Sequence, residues 1–353
     1  MNEIPTIYTA ASGAFPRIGK NSKGHKLRKV HTEFAKRLST IEALHEAENE
    51  VAAEIVSEQE EVGLDILTDG LVRWFCPISH IAGRMEGVGQ GEMHHFLDTN
   101  FHVRKAVVES LPQWKVPLIA DELRFVATLT QRPIKAVLTG PATFLRYMQN
   151  ESSHDDITVS IAYVHALQHE IELLSTLDGI STVSIDDPCL LDQKYPWVLF
   201  FQWYLMLYEA VHSGKRRLLL EIKTYGKPCA DFLSNLFALP CDYLGFDCVT
   251  DKKIILRILQ KPELLLDSKK GLALGVVDAR NKIMEDPFMV ERVVEPLFFY
   301  TKKSLILEPS RGLELLPRRY AKEKLNILVR TKEIFLDSAL YKDTCKIQEK
   351  KSE

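Results

Sequence analysis

The sequence is short of charge of either sign in excess. Its 45 lysines and arginines against 48 acidic residues leave a net charge of -3 across 353 residues. Nothing in that balance marks a nucleic-acid or polyanion binder. Long apolar runs are also missing. The longest, such as "GLALGVV", stop well short of the roughly 20 residues that span a bilayer. The opening "MNEIPTIYTAASG" has no basic region followed by an apolar stretch, so no secretory signal is expected. The six cysteines form no CxxC pair and need no disulfide framework, which fits a reduced, cytoplasmic compartment. There is no P-loop, no GxSxG, no HExxH and no GxGxxG after the first strand-like run. No low-complexity linker or break in composition divides the chain.

What is present is an alternation. Short Val-, Ile- and Leu-rich runs end in small or polar residues, and amphipathic helical stretches follow, the pattern of parallel strands with crossover helices. Eight strand candidates can be read: 6–12, 64–70, 134–140, 182–188, 217–226, 243–249, 272–280 and 304–312. Helical periodicity over 41–63 and 157–179 ends in Gly63 and Gly179, both plausible C-caps. Eight such units predict an α/β chain folded as one (β/α)8 TIM barrel over residues 1–340, with a doubly wound open sheet as the alternative. Residues 71–115 break the alternation after strand two. They read as an insertion over the top face, with a β-hairpin around "GVGQGE". Residues 341–353 form a polar tail.

In a barrel the chemistry lies where strands finish. The finishing residues here are Ser12, Asp69, Thr139, Asp186 with Asp187, Thr224 with Tyr225, Asp247, Asp278 with Arg280, and Glu308 with Arg311. Acids stand at five of the eight ends, more than helix capping alone would place there, although capping accounts for any single Asp. The predicted bowl is amphoteric. Its carboxylates suit an amino group or cation, while Arg17, Arg73, Arg280 and Arg311 suit a carboxylate or phosphate. Blander readings stand beside these: Arg17 as a surface residue, and Arg311 as a partner of Glu308 or Glu314. The pair His94 and His95 reads as a solvated loop pair. His165 and His169, at i,i+4, lack the zinc-protease glutamate and read as helix surface. Cys248 reads as a core thiol.

Several motifs, in order, resemble the cobalamin-independent methionine synthases over essentially the whole chain. They are "SGAFPRIGKNSKGHKLRKV", "EEVGLDILTDGLVR", "LTGPATFL", "SIDDPCLL", "LGVVDARN" and "LEPSRGLELLPRRYAKEKL". The resemblance is to the short, single-barrel members, or to one barrel of the longer enzymes. It implies transfer of a methyl group from a methylfolate, or from a methylcorrinoid, to homocysteine sulfur. It also implies a zinc ion held by His-x-Cys, Glu and Cys. The family's ligand positions fall here on Ile222, Thr224, Asp247 and Arg311. The substrate-binding glutamate falls on Leu71 and the proton-donor histidine on Arg280. No metal is therefore expected at the family position, unless substitutes such as Cys229 or Cys248 serve. Arg311 is expected to fill the space beside Asp247.

By the same resemblance, Asp186 would bind an amino group, Asp192 would lie just beyond it, and Tyr147 would lie against the methyl donor. Arg17, His25, Lys26 and Arg28 would hold a folate tail. The full substrate-binding set predicted is Ser12, Asp69, Arg73, Tyr147, Asp186, Asp187, Asp192, Tyr225, Asp247 and Asp278, with Arg280 and Arg311 as catalytic candidates. The implied partners are an amino acid or thiol and a folate-like ligand, with a corrinoid protein as the other donor, and neither nucleic acid nor membrane. Two other functions compete: a folate- or amino-acid-binding barrel that has lost catalysis, and, ranked last, a uroporphyrinogen-decarboxylase-like enzyme.

Overall fold

The structure is a computed structural model describing residues 6–18, 22–97, 99, 101–192, 194–298, 300–301 and 303–338. The predicted tail 341–353 lies outside the described residues. Among the described residues ten strands are formed: β1 (Ile7–Thr9), β2 (Met85–His95), β3 (His102–Trp114), β4 (Ile134–Thr139), β5 (Met148–Asn150), β6 (Ile180–Asp186), β7 (Leu219–Thr224), β8 (Tyr243–Asp247), β9 (Gly271–Val277) and β10 (Leu305–Pro309). The fold class is the (β/α)8 barrel read from the sequence. Among the described residues no helix is long and apolar enough to cross a membrane. The described residues separate into two compact units, one drawn from 1–72, 228–237 and 244–338, the other from 73–227 and 238–243.

In the first unit β1, β10, β9 and β8 lie side by side, β1 and β9 each parallel to β10. Ile7, Leu272, Leu274, Leu305 and Leu307 are fully buried along this ladder. The second barrel strand, expected over 64–70, is reduced to one parallel bridge between Ala10 and Ile66. A side chain takes the ladder's place. Gln59, buried in the helix Ile41–Val62, accepts from the Thr68 N–H at 2.9 Å and donates to the Thr68 carbonyl at 3.0 Å. An amide carries the same donor and acceptor as a strand neighbour, so the pairing needs no second strand. That helix starts and ends as predicted. Thr40 accepts from the Ala43 N–H, and Gly63 closes it at φ +95°.

In the second unit β4, β6 and β7 are parallel in the order β4-β6-β7. The helix Asp156–Leu174 is N-capped by Asp155 and ends at Ser175, so Gly179 is not its cap as predicted. Instead Gly179 makes a left-handed turn into β6. The inserted segment is ordered here as a short helix, Pro77–Ala82, and a long antiparallel hairpin of β2 and β3 extended by β5. "GVGQGE" is not the hairpin's turn. It lies inside β2, with register shifts between Glu86 and Val88 and between Gln90 and Met93, and the chain reverses between β2 and β3. Glycines there ease the bulges rather than the reversal: Gly87 sits at φ +81° against Ser110. The end of the insertion is tied by Glu170, fully buried. It accepts from the Trp114 indole and from the backbone N–H groups of Leu118, Ile119 and Ala120, at 2.7–2.8 Å.

Candidate active site

Alternation along β4, β6 and β7 divides hydrophobic from polar. Ile134, Ala136, Leu138, Val183, Ile185, Leu220 and Ile222 fall on one face. On the other, register sets Thr139 beside Asp186, Ser184 beside Glu221, and Asp186 beside Lys223. Lys135 belongs to this polar face and meets Glu221 at 2.8 Å, both essentially without solvent exposure. The Ser184 hydroxyl lies 3.2 Å from both the Asp186 and the Glu221 carboxylates and shares its one proton between them. Asp186 closes the ladder at the C-terminal end of β6 and keeps partial exposure. Lys135, Glu221 and Lys223 were not among the predicted site residues. The signal was there, in "IKAVLT" and "LEIKT", as charges at alternate positions of otherwise apolar strands. The family's ligand positions Ile222 and Thr224 flank Lys223, and Ile222 is wholly buried on the apolar side.

The two adjacent acids of "SIDDP" separate. Asp187 is fully buried and accepts from the N–H groups of Ala142 and Thr143, the Thr143 hydroxyl and the Tyr204 hydroxyl, at 2.6–3.1 Å. Those donors close it off from a ligand, so its predicted substrate-binding role is corrected to a structural one. Burial pushes its carboxyl up to about 6, against the pull of the Thr143 and Tyr204 hydrogen bonds. Gly140 lies against it. A Cβ at 140 would come within 2.3 Å of the Asp187 Cβ and Cγ, so Gly140→Ala is expected to destabilise the protein by about 1–3 kcal/mol in a denaturant melt.

Beyond Asp186, the Asp192 carboxylate is held by Lys227 at 2.5 Å and approached by Arg146 at 3.5 Å. Tyr147 is buried, and its hydroxyl accepts from the Leu97 N–H at 2.6 Å, its ring against Phe96. Burial pushes its phenol up to about 12, so it stays neutral. Cys189, also buried, is raised by burial and by Asp192 and Asp187, and remains a thiol. Thr139 donates to the Pro77 carbonyl. Tyr225 is buried at the end of β7. Arg73 lines a different part of this unit, a cleft with Ser79, His80, Arg84 and Arg104.

The first unit's strand ends are built from local turns. Asp247 accepts from the N–H groups of Val249 and Thr250 and the Thr250 hydroxyl. Asp69 accepts from the N–H of Leu71, which sits at φ +48°. Asp278 is bonded by Arg280 and Asn281. Burial raises its carboxyl, but Arg280 outweighs burial and holds it below the ordinary range. Ser12 donates to the Pro309 carbonyl. Arg311 pulls down the Glu314 carboxyl, which burial raises, and Asp247 acts on the guanidinium of Arg280. Arg17 is half-buried. Burial lowers its pKa, opposed by Glu48 and Glu314. His25, Lys26 and Arg28 are exposed on the helix Ser22–Ala35, where Lys26 pairs with Glu50 at 2.6 Å.

Zinc sites need three or four converging donors. Among the described residues no three His, Cys, Asp or Glu side chains converge in that way. The substitute thiol Cys248 donates to the Phe246 carbonyl. Burial, with Asp247 and Cys229 nearby, raises it well above its ordinary pKa, away from the thiolate a metal would use.

A model of the "Cobalamin-independent synthase, N-terminal domain" family matches residues 81–298. Methionine synthase of Sulfurisphaera tokodaii is 26% identical over 343 residues, covering 95% of this chain and 94% of that protein. The 5-methyltetrahydropteroyltriglutamate–homocysteine methyltransferase of Thermotoga maritima is 21% identical over 88% of this chain, which spans 42% of that protein. Among solved structures, a B12-independent methionine synthase from a Shewanella species, in complex with selenomethionine, superposes with a TM-score of 0.73 at 16% identity, covering 92% of this chain and 96% of that one.

Proposed function

The chain belongs to the cobalamin-independent synthase family, and from that premise we propose that it is a methionine-synthase-like methyltransferase acting on homocysteine or a related thiol. The donor is a methylfolate or a methylcorrinoid. The sulfur lone pair forms the new S–CH3 bond as the donor's bond to that methyl breaks, its electron pair staying on the donor; the thiol loses its proton, and with a methylfolate the freed nitrogen takes up one proton in place of the methyl.

The observation that carries this reading is the polar ladder ending at Asp186. A partly exposed carboxylate at a strand's C-terminal end, steadied by Ser184, suits the amino group of an amino-acid substrate. Lys223, its register neighbour, supplies positive charge that favours a thiolate over a thiol. Tyr147 offers an aromatic ring held in place by the hairpin backbone.

Asp186→Asn is expected to weaken homocysteine or methionine binding by roughly 10- to 150-fold, the equivalent of one charge-assisted hydrogen bond at about 1.5–3 kcal/mol. Unchanged affinity in calorimetry would remove Asp186 from the site. The activity is tested by incubating the protein with homocysteine and either methyltetrahydrofolate or methylcobalamin, with zinc analysis of the same sample. Methionine formation supports the transferase.

A second reading is a binding barrel without catalysis, and the side chains Ile222, Thr224 and Arg311 at three positions where the family holds its metal favour it. Saturable folate or amino-acid binding with no methionine formed from either donor would select that reading.

A further inference from the structure

We propose that the cleft between the short helix Pro77–Ala82 and the β2–β3 hairpin is a second ligand site, for a small organic anion carrying two or more carboxylate or phosphate groups. It lies wholly in the second unit and has a volume of about 430 Å³. It is lined by Arg73, Ser79, His80, Arg84, Gln90 and Arg104, with Phe75 at its edge. No lining residue is acidic, although the chain as a whole carries slightly more acid than base. Three guanidinium groups converging on one hollow repel one another unless something anionic lies among them.

One anion is built in, and it does only part of that work. Glu122 is 4% exposed. It lies 2.7 Å from the Arg84 guanidinium and 3.0 Å from His80 Nε2. Burial raises its carboxyl, but His80, Arg84 and Arg73 together outweigh burial and keep it ionised. Glu122 thus neutralises one cation and fixes two. Arg84 is further pinned by the carbonyls of Pro117 and Leu118, and His80 is stacked on Trp74 with centroids 4.9 Å apart. These two form a rigid wall.

Arg104 is differently placed. It donates from Nη1 to the Gly91 carbonyl at 3.0 Å, which orients the fork and leaves its other N–H groups for a ligand. Arg73, Ser79 and Gln90 add donors around the same hollow. Guanidinium forks match carboxylate and phosphate oxygens two at a time, so the donor set selects oxyanions over neutral ligands. The volume exceeds what one phosphate fills. Phe75, 61% exposed, gives the rim an apolar surface for the carbon skeleton of an organic anion. This inference does not depend on the methyltransferase reading.

The test is calorimetric titration of the full chain with inorganic pyrophosphate and, separately, with citrate, at low and at physiological salt. Saturable binding of either is expected. Preference for one of the two tells phosphate ligands from carboxylate ligands. Arg104→Gln and Arg73→Gln are each expected to weaken binding about tenfold or more. Arg257→Gln, at an exposed position of the other unit, should leave it unchanged. Melting curves establish that each variant folds, and Arg104→Gln, on the partly exposed hairpin, carries the test if Arg73→Gln does not fold. No saturable binding of either anion, or an equal loss with Arg257→Gln and Arg104→Gln, would overturn the proposal.

Discussion

Lys135→Met is expected to destabilise the protein by about 3–5 kcal/mol, the usual result of leaving one member of a buried ion pair without its partner. The ammonium and the Glu221 carboxylate meet at 2.8 Å with 1% and 0% exposure. Removing the cation leaves a carboxylate in a dry strand face, with the Ser184 hydroxyl as a remaining donor. Glu221→Leu alone should cost a similar amount for the converse reason. The double variant Lys135→Met/Glu221→Leu is expected to recover most of the loss, because apolar side chains of similar volume pack without desolvating a charge. Urea denaturation of all four proteins gives the cycle. If the double variant is no more stable than the single ones, the charges are needed for more than each other. The ladder would then be part of the site's electrostatics and not just of its frame.

Asp187→Ala is expected to have a comparable effect, on the order of 3–5 kcal/mol, by orphaning two backbone N–H groups and two hydroxyls in a fully buried position. The loss should fall on the start of the helix Pro141–Tyr147, the helix that carries Tyr147. The same residue gives a pH signature. Its folded pKa, near 6, lies above the ordinary Asp value of 3.8. The folded state therefore binds the proton more tightly than the unfolded chain does. Asp187's contribution to stability rises as pH falls from about 6 to about 4, by as much as roughly 3 kcal/mol. Comparing the wild type with Asp187→Asn across that window isolates the term, since the variant cannot titrate there. Parallel stability curves for the two proteins would show that Asp187 does not take up a proton in the fold.

Much of the frame was legible because strand periodicity and turn chemistry are local. All eight barrel-strand positions are at least bridged where the β-branched runs stand, and Thr40 and Gly63 bound their helix as their chemistry requires. The second strand shows where local reading stops. "LDILTDG" has a strand's composition, but at Thr68 the amide of Gln59, nine residues earlier on a helix, fills the backbone hydrogen bonds, and neither helical nor strand periodicity encodes a side chain in that role. The turn of the inserted hairpin was misplaced for a related reason. Glycines mark unusual backbone, and in β2 they accommodate bulges rather than the reversal.

For the site, the sequence alone determined that acids stand at strand ends and that, as the family resemblance aligns the chain, Ile222, Thr224 and Arg311 occupy three of four metal-binding positions while Asp247 keeps a carboxylate at the fourth. Neither depends on folding: the first follows from where polar residues interrupt apolar runs, the second from side-chain identity. Tertiary structure decided which of two adjacent aspartates is a bonded anchor and which keeps exposure. Asp186 and Asp187 are chemically identical and next to each other, and only the donors brought by Ala142, Thr143 and Tyr204 tell them apart. It also decided that Lys135 and Glu221, 86 residues apart in the chain, neutralise each other. An ion pair's free energy depends on distance and on exclusion of water, and a linear sequence specifies neither until the strands that carry the charges lie side by side.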